Sequence, residues 1–368
     1  MKFVCDAVNL SEKLSIIQGI SERRITMPIL SHVLLCTDDN HITVTATDLE
    51  NTLETQCSSI VQGGGKIALP SKKLFEIIRE IHSGEIEIEE LENNWVQIKS
   101  AGVSFKLAGL PAADFPSLPV QHLQNQVEVE AGSLDDMIAK TFFAVSADDL
   151  RRNLAGLYFE PHDDGLLRII GTDGHRLSYV ERKFENGHGF TNGIILPRKG
   201  VAELRKLLKN SGEGDIKLAV INNFFIAQSK DIRLFSRLIE LDYPDYKQVV
   251  PEQSKSSFVV NRDILSAAVK RVSVLSSEKT KSIKMNISSN SVQLLSVTPE
   301  LGEAKELIDV EYSDDPVELG FNSVYIMDVL DAMDSEQVVI EITDELSPAI
   351  IKPTGQQDYV SVIMPMRV

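Results

Sequence analysis

The sequence predicts an α+β chain made of three copies of one domain, and three observations carry that expectation. Three segments line up: Pro70-Ser-Lys-Lys-Leu-Phe-Glu-Ile-Ile78, Pro197-Arg-Lys-Gly-Val-Ala-Glu-Leu-Arg205 and Asn322-Ser-Val-Tyr-Ile-Met-Asp-Val-Leu330. Each follows a short apolar run and opens an amphipathic helix pattern. Thr47-Asp48 recurs as Thr172-Asp173 and weakly as Thr298-Pro299, while Leu10, Leu134 and Leu265 head further helical patterns at matching places. The spacing is about 125 residues, far longer than the roughly 20–50 of a solenoid unit, so the repeating object is a whole domain.

Length agrees, since 368 residues hold two or three domains of ordinary size. Two proline-rich junctions, Leu110 to Pro119 and Leu241 to Pro251, share an aromatic–proline pair and precede new strands. The expected domains are 1–123, 124–254 and 255–368.

Strand patterns dominate along the chain. Met1-Lys-Phe-Val-Cys5 reads as a strand, and Ile42-Thr-Val-Thr-Ala46, Trp95-Val-Gln-Ile-Lys99, Val127-Glu-Val-Glu130 and Val338-Val-Ile-Glu-Ile342 mix β-branched residues with alternating polar ones, as half-buried antiparallel strands do. Turn signals separate them at Asp38-Asp-Asn40, Glu92-Asn-Asn94, Asp163-Asp-Gly165 and Ser288-Ser-Asn-Ser291. Two helices are expected per repeat. In the second repeat they cover about 133–145 and 198–209, with Ser133 and Pro197 near their starts.

Helical projection gives three of the helices a core face and an opposite face that carries basic residues. Over 198–209, Val201, Leu204, Leu207 and Leu208 share one face while Lys199, Lys206 and Lys209 share the other. Over 71–82, Leu74, Ile77, Ile78 and Ile81 face inward, with Lys72 and Arg79 outward beside Glu76. Over 262–273, Leu265, Ala268, Val269 and Val272 form the core face and Lys270 points away. A solvated surface explains any one such face; recurrence at equivalent places in an otherwise acidic chain is what singles them out.

The net charge of −17 argues against a nucleic-acid partner for the molecule as a whole, because its field repels phosphate. The charge is unevenly placed, however. Glu85-Ile-Glu-Ile-Glu-Glu-Leu-Glu92 is acidic and alternating, whereas Arg198 to Lys209 is basic apart from Glu203. No apolar run is long enough to span a membrane, the start lacks a signal-peptide pattern, and Cys5, Cys36 and Cys57 read as structural thiols of a reducing cytoplasm.

Signatures of catalysis, metal or cofactor binding are missing, and none of the three is expected. Gly63-Gly-Gly-Lys66 lacks the Ser/Thr and first glycine of a phosphate loop, and reads as a flexible hairpin turn. The histidines never fall at metal-ligand spacing. Thr172-Asp-Gly-His-Arg-Leu-Ser178 holds the residue types of a hydrolytic triad, but adjacency does not place side chains in hydrogen-bond order. Its counterpart Thr45-Ala-Thr-Asp-Leu-Glu50 has no histidine, so the shared Thr-Asp reads as architectural.

Together the repeat, Met27-Pro-Ile-Leu30, Thr47-Asp-Leu-Glu50, Leu110-Pro-Ala-Ala-Asp-Phe-Pro116, Thr172-Asp-Gly-His-Arg-Leu177, Pro197-Arg-Lys-Gly200, Tyr243-Pro-Asp-Tyr246, Gly320-Phe-Asn322 and Met364-Pro-Met-Arg367 resemble the bacterial DNA polymerase III β subunits, the replicative sliding clamps, from end to end. The resemblance implies a head-to-tail homodimer: a ring of six clamp domains around duplex DNA, with helices lining the pore and antiparallel sheets outside. It implies no enzymatic activity. Partners would be DNA polymerase III and other polymerases, the clamp loader and repair proteins, all in the cytoplasm. A ring-shaped interaction scaffold that does not encircle DNA is the alternative reading, with a hydrolase a distant third.

Three sets of residues follow from the resemblance. A peptide-binding groove would use Leu154, Thr172, Gly174, His175, Arg176 and Leu177, with Pro244, Val249, Leu346, Val362, Met364, Pro365 and Met366. DNA would face Arg24, Lys72, Arg79, Arg152, Lys199, Lys206, Lys209 and Lys270. The dimer would meet at Phe105 and Leu107 of one chain and Val274 and Leu275 of the other. The chain departs from the family at Gln248, where many members have arginine, and at Pro348, where many have a small residue. Arg152 and Asn153 stand where many carry aromatics.

Overall fold

Antiparallel pairing organises the chain. A computed structural model describes residues 1–21, 27–117, 126–148, 150–212, 214–299 and 302–367. They group into two units, Met1–Gly132 with Lys199–Leu238, and Ser133–Arg198 with Ile239–Val368. The expected boundary near 123 lies outside the described residues. Six helices, two for each expected repeat, accompany the strands among the described residues: α1 (Ala7–Ser21), α2 (Ser71–Glu80), α3 (Ala131–Phe142), α4 (Arg198–Ser211), α5 (Arg262–Ser273) and α6 (Ser323–Asp331). None is long and apolar enough to cross a membrane.

The first unit is built on one 13-stranded sheet. Its central join pairs Asn51–Gly63, from the first repeat, with Ile232–Arg237, which closes the second, in the register Leu53↔Leu234. At one end lies Val103–Ala108, paired only to Trp95–Ser100. The acidic segment becomes the strand Glu85–Glu90, whose Ile86 and Ile88 are fully buried between exposed or half-exposed glutamates. Alternation of this kind buries one face and leaves the other charged.

The second unit has an 8-stranded and a 4-stranded sheet. In the larger, the closing strand Tyr359–Ile363 lies between Arg176–Lys183 and Ala349–Pro353, with Leu177 opposite Val362. Every residue of that closing strand is buried. In the smaller sheet, Gly302–Asp309 is an edge strand paired only to Ser291–Thr298.

The helices follow their apolar spacing. Val201, Leu204, Leu207 and Leu208 of α4, and Leu265, Ala268, Val269 and Val272 of α5, are buried. In α2 only Leu74 and Ile78 are fully so; Ile77 and the flanking Ile81 are half-buried, because the helix ends at Glu80 rather than 82. Asn261 caps α5 by accepting from the Asp263 and Ile264 N–H groups. α3 starts at Ala131 and ends at Phe142, so Ser133 is its third residue and not its cap. Beyond Phe142 the Ala144 and Val145 N–H groups turn to the carbonyls three residues back, at 3.1 and 3.2 Å, and the helical ladder stops there. Gly63-Gly-Gly-Lys66 is not a hairpin turn. The strands it joins are not partners, and at Gly65 a Cβ would stand 2.8 Å from the Met1 Cβ, so the close approach of the N-terminus requires glycine.

The repeated Thr-Asp is the same turn twice. Thr47 Oγ1 donates to the Asn51 carbonyl (3.1 Å) and accepts from Leu49 N–H (3.1 Å); Thr172 Oγ1 donates to the Arg176 carbonyl (2.7 Å) and accepts from Gly174 N–H (3.1 Å). Asp48 Oδ1 accepts from Glu50 and Asn51 N–H, and Asp173 Oδ1 from His175 and Arg176 N–H. The third position is left-handed in both, with φ of 75° at Leu49 and 84° at Gly174. Glycine adopts that conformation freely, whereas Leu49 holds it under strain. In the third repeat Pro299 supplies no carboxylate, and Thr298 Oγ1 donates to the Leu275 carbonyl instead, at 2.6 Å.

Replacing Asp48 by Ala should therefore destabilise the first unit by about 1–3 kcal/mol, because two backbone donors lose their acceptor. Asp48→Asn, which keeps the Oδ1 acceptor, should cost less. Urea midpoints of the two variants check the order; equal midpoints would remove the structural role of the carboxylate.

Candidate functional site

The second unit carries an apolar cavity of about 200 Å³. Its floor comes from three strands that antiparallel pairing sets side by side: Thr172 from Leu166–Thr172, Leu177 from Arg176–Lys183 and Val362 from the closing strand, all buried. Leu154 closes one end from the short turn Arg152–Leu154. Pro244, Asp245, Tyr246 and Val249 form a wall from the second proline-rich junction, and Met364 completes it from the tail. The floor is buried, whereas Pro244 and Val249 are exposed. The result is a slot that apolar side chains can enter from solvent.

Gly174 and Arg176 also line this cavity, but Arg176 is already engaged. Its Nε lies 3.2 Å from Asp173 Oδ2, its Nη1 pairs with Asp328 of α6, and its Nη2 donates to the Phe143 carbonyl at 2.7 Å. The guanidinium also sits 4.5 Å from the Tyr325 ring centroid. Arg176 is thus a rigid polar edge of the slot. His175 is exposed and does not line the cavity; its carbonyl accepts from Met364 N–H at 2.9 Å and its ring stacks near Tyr325. Leu346 is 74% exposed, and Pro365 and Met366 are half-buried beside the tail, where Met366 N–H donates to the Gly320 carbonyl. None of these last three reaches the cavity lining.

Asp245 and Tyr246 line the cavity and were missed as site residues by the sequence reading. The signal was present in the aromatic–proline junction, Tyr243-Pro-Asp-Tyr246. Tyr243 stacks on Tyr158 with centroids 4.5 Å apart, and the Tyr246 hydroxyl lies 2.5 Å from Glu160 Oε2. Burial alone would raise the Glu160 carboxyl. Hydrogen bonds from Tyr246 and His162 and the charge of Lys247 outweigh it and hold Glu160 below its ordinary value. Burial and the hydrogen bond to Glu160 push the Tyr246 phenol well up, so it stays a donor. Gln248 donates to Asp245 Oδ2 at 3.0 Å.

The basic residues divide into two groups. Lys199 is 3.2 Å from Asp48, Lys206 is 2.7 Å from Glu203, and Arg79 is 3.7 Å from Glu80. Lys72, Lys209, Lys270 and Arg152 are exposed; the hydrogen bond from Lys73 and the nearby charge of Lys72 hold the Glu76 carboxyl below its ordinary value, while no ion pair engages Lys209, Lys270 or Arg152 among the described residues. Arg24 lies outside the described residues. Phe105 and Leu107 sit opposite the buried Ile98 and Val96, on the core-facing side of an edge strand, and stay half-exposed. Val274 is 75% exposed at the end of α5 and Leu275 is half-buried. Val297 and Leu307 are also exposed, on the edge pair Ser291–Thr298 and Gly302–Asp309.

The triad-like segment cannot do hydrolytic chemistry. Ser178 is fully buried and donates to the Lys140 carbonyl, and Asp173 is bound to backbone N–H groups and Arg176. Three free thiols and no metal-ligand cluster occur among the described residues.

Family models describing the DNA polymerase III beta subunit match in succession: its N-terminal domain over residues 1–119, its central domain over 128–245 and its C-terminal domain over 247–367. The beta sliding clamp of Proteus mirabilis is 32% identical over 371 residues, covering 100% of both chains. The crystal structure of the DNA polymerase III subunit beta from Pseudomonas aeruginosa superposes with a TM-score of 0.95 at 31% identity, again over 100% of both chains. A Pseudomonas aeruginosa sliding clamp bound to griselimycin gives 0.93 at 31%, with the same coverage.

The lowered Glu160 carboxyl has a consequence for acid stability. Its contribution is fully present above the ordinary value of 4.5 and is lost as pH falls through the lower folded-state value. Glu160→Gln should flatten the fall of the melting temperature below that pH while leaving the neutral-pH value lower than that of the parent. A variant with an unchanged acid limb would show that Glu160 is not ionised in the fold.

Proposed function

The chain belongs to the DNA polymerase III beta subunit family and is a DNA sliding clamp rather than an enzyme, and from that premise we propose that two copies close head to tail into a ring around duplex DNA. Three clamp domains per chain, read as 1–123, 124–254 and 255–368, make six around the ring, with helices lining the pore and sheets outside. Work on replicating DNA places the protein in the bacterial cytoplasm.

One observation carries this reading. Within the chain, the strand after each Thr-Asp turn pairs with the closing strand of the next repeat: Asn51–Gly63 with Ile232–Arg237, and Arg176–Lys183 with Tyr359–Ile363. Two strands of the same kinds are left as edges. These are Gly302–Asp309, after the Thr298-Pro299 turn, and Val103–Ala108, which closes the first repeat. Joined between copies, they extend the same pairing, and a heterologous contact that closes after two copies makes a ring. Phe105 and Leu107 then meet Val274 and Leu275, covering apolar surface that each chain leaves open.

DNA is held without sequence reading. Lys72, Lys209, Lys270 and Arg152, with Arg24, Arg79, Lys199 and Lys206, offer phosphate contacts that any duplex satisfies, so the ring slides. The cavity of the second unit accepts short peptides of polymerases, the clamp loader and repair proteins. A peptide with an aliphatic and an aromatic anchor gains roughly 1.5–3 kcal/mol for each before ordering costs, which suits micromolar, exchangeable binding.

Loaded onto a nicked circle with clamp loader and ATP, the protein should stay until the circle is cut. A scaffold that does not encircle DNA would show no dependence on linearisation. The double variant Val274→Ala, Leu275→Ala should sediment as a monomer and lose retention; dimer mass in that variant would move the interface elsewhere.

Deleting Met364 onward should abolish binding of a fluorescent peptide with a polar, an aliphatic and an aromatic residue, and leave the dimer intact. Undiminished affinity in that titration would mean the groove is misplaced.

A further inference from the structure

The wall of the groove is a loop, and something other than a strand must hold it. Tyr243 to Val249 contributes only the short turn Tyr246–Val249, yet Pro244 and Val249 have to stand at fixed places for the slot to exist. Tyr246 is 5% exposed and packs into the apolar cluster of Ile170, Leu177, Val360 and Val362 beneath the groove. Its hydroxyl is held between Arg168 Nη1 and Glu160 Oε2, each 2.5 Å away. Arg168 Nε donates to Glu181 Oε1 at 2.7 Å, and the guanidinium lies over the rings of Tyr179 (4.9 Å) and Tyr246 (5.9 Å). His162 Nε2 and Lys247 Nζ complete the shell of Glu160, at 3.0 and 3.5 Å.

We propose that Arg168 is a positioning residue for the groove: by gripping the Tyr246 hydroxyl from the sheet behind, it sets where the Pro244–Val249 wall stands and so which apolar side chain the slot admits. Arg168 does not line the cavity, so it acts through the side chains it holds, of which Tyr246 alone lines the cavity. Its side chain is 19% exposed, which makes the grip dry enough to matter. A planar fork reaches a phenol and a carboxylate while stacking on two rings; a lysine ammonium cannot do all of this at once. The inference rests on the groove reading above and assigns it a residue outside the peptide contact.

The test uses the full-length dimer, the same fluorescent peptide, and hydrogen exchange at Val250, whose N–H donates to the Lys247 carbonyl. Arg168→Met should weaken the peptide roughly tenfold, as expected for a lost charged hydrogen bond, and speed exchange at Val250 with the dimer mass unchanged. Arg168→Lys should recover part of the affinity. Tyr246→Phe, which keeps the ring and removes only the hydroxyl, should weaken binding too, and it decides the matter if Arg168→Met does not fold. Leu177→Asp, inside the groove, is the control. Full affinity in Arg168→Met or, should it not fold, in Tyr246→Phe, alongside loss in Leu177→Asp, overturns the positioning role and leaves the groove standing. Full affinity in all of them overturns both.

Discussion

The fold depends on one kind of contact, the antiparallel pairing of a strand that follows a Thr-Asp turn with the strand that closes the next repeat. Without it, each repeat would expose two edges, and exposed edges invite pairing with other chains. With it, Asn51–Gly63 and Ile232–Arg237 fuse into a continuous sheet, and Arg176–Lys183 accepts Tyr359–Ile363 from the far end of the sequence. The Thr-Asp turn fixes where the pairing starts. The threonine hydroxyl and the aspartate carboxylate satisfy the backbone donors and acceptor of the turn, so the next strand leaves in a defined register. A slip of one residue would turn every core side chain to solvent.

The same pairing makes the groove. Leu177 and Val362 are far apart in sequence and directly opposite in register, and with Thr172 their side chains supply the floor. Polar groups beneath are spent on one another: Ser178 Oγ donates to the Lys140 carbonyl and meets Ser361 Oγ at 3.1 Å. A floor built from three interior strands moves little, whereas the wall from the 243–249 junction has no ladder. That division explains why a polar cluster as dense as Glu160, Arg168, Glu181 and Tyr246 sits behind a short surface loop. It supplies for a loop the rigidity that hydrogen-bonded neighbours supply for a strand.

Much of this was legible in the sequence, and the limits have physical causes. The buried faces of α4 and α5 followed from spacing alone, because a helix with apolar residues three and four apart has one way to bury them. The Thr-Asp repeat was readable as architecture because its first copy has no histidine to do chemistry with. Nothing local in Tyr246 distinguishes a groove residue from a buried tyrosine; its role comes from Glu160 and Arg168, which the fold brings from neighbouring strands. Likewise, projection of α4 placed Lys199 and Lys206 on an outward face but could not show Asp48 and Glu203 beside them. Those acids are a long-range partner in one case and a buried position on the same helix in the other.

Those two acids bear on how an acidic protein holds DNA loosely enough to slide. On the proposed reading, phosphate must compete with Asp48 for Lys199 and with Glu203 for Lys206. Each such contact exchanges one ion pair for another and yields little net free energy. Lys209, Lys270 and Arg152 have no such competitor in an ion pair among the described residues, so on that reading they carry most of the attraction and of its salt dependence. Overall negative charge then works with this arrangement. It repels DNA in general while the uncompensated cations attract it locally, and it keeps that attraction from becoming a grip. Encirclement supplies the persistence that affinity does not, and weak contacts leave the ring free to move along whatever duplex it surrounds.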